Sequence, residues 1–125
     1  MNEVNQFTQA ILEDAKHLKE QQLANLEVIT VINGLKRKQK GLIDRVTWEV
    51  HNAIDDQGKR KYSNETIRNV ATREILATFE EYHTRETKIE ELEITVQKHL
   101  IEQEYLRNRI AINKEYLGHQ SLKTP

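Results

Sequence analysis

Between Ile89 and Leu117, apolar residues recur in alternating steps of three and four: Ile89, Leu92, Val96, Leu106, Ile110 and Leu117. Written as heptads, Ile89, Val96, Gln103, Ile110 and Leu117 share one position, and Leu92, His99, Leu106 and Asn113 share the other. No Gly or Pro interrupts this run before Gly118. A repeat of about 3.5 residues with charged flanks predicts a long helix lying along a partner helix. Upstream, a second stripe runs through Val4, Phe7, Ile11, Ala15, Leu18, Leu26, Ile29 and Ile32. It resumes at Leu42/Ile43, Val46, Val50 and Ala53/Ile54. Gly34 and Gly41 interrupt it, each costing about 1 kcal/mol relative to Ala inside a helix. Leu35–Lys40 between them favours helix, so one helix, bent or frayed near residues 34–41, is preferred over two.

The predicted elements are therefore a helix over about 2–54, a loop over 55–63 and a helix over about 64–117. Residues 1–118 form one hairpin domain, and 119–125 are a frayed tail. Gly58 supplies the left-handed residue that ends the first helix. Ser63 is the expected N-cap of the second helix, with Tyr62 and Ile67 placed as a hydrophobic staple. Folding near residue 59 pairs positions whose numbers sum to about 118. That sets Ile29 by Ile89, Leu26 by Leu92 and Ile43 by Ile75, and brings Lys36–Lys40 beside Glu80 and Glu81. The expected class is all-α, a long antiparallel coiled-coil-like hairpin.

A weaker apolar line, Ile94, Ile101, Tyr105, Ile112 and Tyr116, lies off the main seam. A two-helix hairpin needs one stripe per helix, so this face asks for a further partner. A homodimer or higher bundle is the first expectation, and another helical protein the second. Buried polar residues at seam positions, here His99, Gln103 and Asn113, usually fix register or oligomeric state.

Length and composition narrow the class. At 125 residues, 6% aromatic and 31% charged, the chain suits narrow helical seams better than a thick core. There is no Cys, hence no disulfide framework and no thiolate nucleophile or ligand. No apolar run is long enough to span a bilayer. Met1–Ala10 lacks the basic head and apolar block of a secretory signal, so the expected location is cytoplasmic and no membrane partner is expected. The net charge of −1 hides a basic middle: residues 34–73 hold ten basic and five acidic groups, and residues 74–104 three basic and nine acidic.

Chemistry is sparse. There is no Gly-rich phosphate loop, no nucleophile elbow and no zinc-ligand pattern. Glu80-x-x-His83 and, more loosely, Asp14-x-x-His17 have the one-turn spacing of bundle metal ligands, but the predicted register keeps them apart and solvated helix-face residues are the preferred reading. No catalytic residue, metal or cofactor is expected. The candidate nucleic-acid contact is Lys59, Arg60, Lys61, Tyr62, Arg68 and Arg73, since cations beside an aromatic ring hold phosphates and stack a base.

Two short motifs add a family likeness. Gly58-Lys59-x-Lys61-Tyr62-Ser63-Asn64-Glu65-x-x-Arg68 resembles the turn of small coiled-coil accessory proteins of phages and mobile elements. Glu104-Tyr105-Leu106-Arg107-Asn108 resembles a stretch near the end of their second helix. The likeness covers residues 56–110 and implies an accessory role near DNA recombination or replication, with no catalytic residue. The expected function is a non-enzymatic structural or interaction protein; the alternative is a nucleic-acid-binding accessory protein that uses the basic turn.

Overall fold

The computed structural model describes the backbone of residues 3–123 and the side chains of residues 4–120. The chain is all-α: α1 is Glu3–Asn52, α2 is Glu65–Ala77 and α3 is Glu80–Lys123. Among the described residues there is no strand, only an isolated antiparallel bridge between Ile54 and Arg60. Where length suggests one domain, the chain divides into two compact units. Unit 1 is Met1–Thr30 with Glu93–Pro125, and unit 2 is Val31–Leu92. Asn2, the expected first helical residue, lies outside the described residues.

Helix α1 runs through Gly34 and Gly41 as one element. The helix formers around the two glycines offset their cost. Its covered face alternates steps of three and four as far as Val46. In unit 1 it comprises Val4, Phe7, Ile11, Asp14, Leu18, Gln21, Asn25 and Val28. In unit 2 it continues through Ile32, Leu35, Gln39, Leu42, Val46 and Val50. This corrects the stripe drawn by hydropathy. Leu26, expected on the seam, is 60% exposed, and Ala15 and Ile29 also face out. A continuous helix cannot change phase to follow its greasiest residues, so the polar residues in phase are covered instead.

In unit 1, α1 and α3 pack antiparallel, as the hairpin class requires. Phe7 stacks on Tyr116 at 5.6 Å between ring centroids. Asp14 meets Arg109, and Asn25 meets His99. These pairs sum to 123 or 124, so the register is shifted from the expected 118. On α3 the predicted heptads hold: Val96, His99, Gln103, Leu106, Ile110, Asn113 and Leu117 are all buried or half-buried.

Unit 2 carries the larger apolar cluster. Leu42, Val46, Val50, Ala71 and Leu76 are buried together, with Ile43, Tyr62, Ile75, Phe79 and Tyr82 packed around them. Ile43 and Ile75, expected to meet, thus pack on the same cluster. Lys40 pairs with Asp44 and Glu81 with Arg85, each within its own helix. Gln39 Nε2 donates to the Tyr82 carbonyl at 2.9 Å, and Arg85 Nε donates to Gln39 Oε1 at 2.6 Å.

The connection differs from a simple loop. The expected second helix is broken at Thr78–Phe79, where the Thr78 amide and hydroxyl both donate to Ile75 O and the Phe79 amide to Leu76 O. Those tight turns close α2, and Glu80 and Glu81 then occupy the first turn of α3, where the helix dipole favours carboxylates. Asn64, not Ser63, caps α2: its Oδ1 accepts from the Ile67 amide at 2.9 Å. The cap one residue later removes Tyr62 and Ile67 from staple positions. Helix α3 also passes Gly118, where it was expected to stop, and runs to Lys123. One glycine without a following Pro does not stop a helix at a cost of about 1 kcal/mol. Residues 124 and 125 of the expected tail lie outside the described residues.

Leu106, 2% exposed, anchors the seam of unit 1. Leu106→Ala should lower stability by about 2–5 kcal/mol in denaturant titration, whereas Leu26→Ala should stay within about 0.5 kcal/mol. Asn64→Ala should cost about 1 kcal/mol by the same measurement, and Ser63→Ala much less.

Candidate interaction surfaces

The basic turn is built by one carboxylate. Asp55 Oδ1 accepts from the Gln57 and Lys59 amides at 2.9 and 3.0 Å. The Gly58 amide donates to Asp55 O, and the Asp55 amide to Lys59 O at 2.7 Å. Gly58 has φ of +77°, the left-handed residue that such a turn needs. Its role is therefore in the turn and not at the end of α1, which stops six residues earlier at Asn52. Lys61 N donates to Ala53 O at 2.9 Å and ties the returning segment to the residue that follows α1.

Lys59, Arg60 and Lys61 are all exposed on this turn. Tyr62 is half-buried against the unit 2 cluster, with Lys61 Nζ 5.6 Å over its ring. Arg68 Nη1 donates to Tyr62 O at 3.2 Å and is half-buried. The structure thus turns Tyr62 and Arg68 inward and leaves three cations outward. Arg73 is exposed on α2. Trp48 is 67% exposed. It sits midway between the buried Val46 and Val50, and that out-of-phase position was the signal for it.

The second candidate surface is the outer line of α3 in unit 1. Ile94, Ile101, Tyr105, Ile112 and Tyr116 are all more than half exposed, Ile101 the most at 68%. Tyr116 shares its ring with Phe7. Tyr105 adjoins an ion pair between α1 and α3. Arg109 Nε lies 3.0 Å from Asp14 Oδ2. The contact is an ion pair off the line of a hydrogen bond, because that buried oxygen accepts none among the described residues. Arg109 Nη1 donates to the Tyr105 hydroxyl at 3.4 Å, and the guanidinium lies over the Tyr105 ring. The Tyr105 contact first, and the Asp14 charge second, raise the Arg109 pKa above its ordinary value. On α3 in unit 2, the hydrogen bond to Glu86 and partial burial raise the Tyr82 phenol.

Neither metal-like spacing assembles a site. His83 Nε2 donates to Ala77 O at 2.9 Å and bridges the α2–α3 junction. Asp14 is engaged by Arg109, and His17 is exposed. No three metal-ligand residues converge among the described residues. Nor is any described helix long and apolar enough to cross a membrane. No family model matches the chain, and neither a curated protein nor a solved structure matches it.

Arg109→Ala would leave the Asp14 carboxylate covered and without its cation. The expected result is a lower denaturation midpoint in denaturant titration. Adding Asp14→Ala should restore part of it, and strict additivity in the cycle would show that the pair is uncoupled.

Proposed function

We propose that this protein is a non-enzymatic helical interaction module that associates with itself. The observation that carries the reading is the outer line of α3: Ile94, Ile101, Tyr105, Ile112 and Tyr116 stay exposed although the seam of the same helix is already filled. On α1, Leu12, Leu23 and Leu26 are exposed as well. Helices that are apolar on more than one side belong in a larger bundle. A cytoplasmic accessory role of the kind found in phages and mobile elements fits this reading, with the turn and second-helix motifs as its support. Sedimentation should give a dimer or larger species for the native chain. Ile101→Asp with Tyr105→Asp should give a monomer that keeps its helical circular dichroism. A native chain that sediments as a monomer at every concentration overturns the reading.

A second reading, nucleic-acid contact in unit 2, is favoured by Lys59, Arg60 and Lys61 standing together on a turn pinned by Asp55. Such a cluster holds phosphates with an affinity that falls as salt rises. Anisotropy of labelled single- and double-stranded DNA should rise at low salt, and Lys59→Ala with Arg60→Ala and Lys61→Ala should abolish the rise. No binding at low salt dismisses this reading.

A further inference from the structure

We infer that the outer line of α3 in unit 1 is closed by the same line of a second copy running antiparallel, with Ile101 facing Ile112 of that copy. The inference rests on the self-association proposed above and names its geometry. Residues facing outward along α3 follow the spacing Ile94, Lys98, Ile101, Tyr105, Asn108, Ile112, Glu115, all of them exposed.

Reversed on a second copy with numbers summing to 213, six of these seven residues meet one another in three pairs, while Ile94 falls opposite the exposed His119. Ile101 falls opposite Ile112, Tyr105 opposite Asn108, and Lys98 opposite Glu115. A two-fold axis makes each pair occur twice. On the flank, Glu102 comes within reach of Arg109, whose guanidinium keeps enough exposure beside Asp14 to take a second carboxylate. A parallel copy would set Lys98 against Lys98 and Glu115 against Glu115. Like charges facing across a helix pair disfavour that arrangement, so the charges choose the direction. The apolar pairs supply contact, and the ion pairs set alignment.

The chain has no Cys, so engineered thiols report contacts without background. Ile101→Cys with Ile112→Cys should give a covalent dimer on mild oxidation. Either single substitution should not, because residues 101 and 112 lie about 16 Å apart along the helix, far beyond the roughly 7 Å that a disulfide spans. Lys98→Glu should weaken the dimer by about tenfold in dissociation constant, and adding Glu115→Lys should restore it. Efficient cross-linking of either single variant overturns the antiparallel geometry while leaving self-association standing. A dimer that no thiol variant captures also overturns it, and moves the interface to another face, such as that of Leu12 and Leu23. A monomeric native chain overturns both.

Discussion

The phase of the α1 seam is the constraint on which the rest depends. A helix of 50 residues has no place to step aside, so every third or fourth residue from Val4 to Val50 is covered whatever its chemistry. Asp14, Asn25 and Gln39 fall on that line and are buried. A covered polar group costs free energy unless it finds a partner. The partners come from α3: Arg109 for Asp14 and His99 for Asn25 in unit 1, and Arg85 with the Tyr82 carbonyl for Gln39 in unit 2. Sliding either pairing by a turn would strand these groups, while an apolar seam would tolerate the slip. The polar residues thus give up some cohesion and gain a single alignment.

The same constraint explains the outside of unit 1. Residues that hydropathy alone would bury, such as Leu23 and Leu26 on α1 or Ile101 and Ile112 on α3, are out of phase with the seam and remain in contact with solvent. Scattered exposed apolar residues are ordinary. A regular series at helical spacing is another matter, because each member adds to one continuous strip.

The α3 seam was legible because from Ile89 to Leu117 the apolar heptad residues and the covered phase coincide. On α1 they diverge. Hydropathy favours Ala15 over Asp14, and Leu26 and Ile29 over Asn25 and Val28, one step out of the covered phase. The break at Thr78–Phe79 carries no Gly or Pro; there a threonine hydroxyl donates to the carbonyl of Ile75 and Phe79 packs on the unit 2 cluster. The basic turn and the outer strip of α3 could be read directly, since both are local. The Asp14–Arg109–Tyr105 group could not, because it depends on the register between helices some 95 residues apart in sequence, and the shift from 118 to 123–124 hid it.

Trp48 is the single tryptophan of the chain, and it stands on the outside of unit 2 while Val46 and Val50 on either side of it are buried. Indole emission responds to immediate surroundings, and here those are largely water whether the chain is folded or not. The intrinsic fluorescence of this protein is accordingly a poor gauge of folding and a direct gauge of anything that settles on that face of α1.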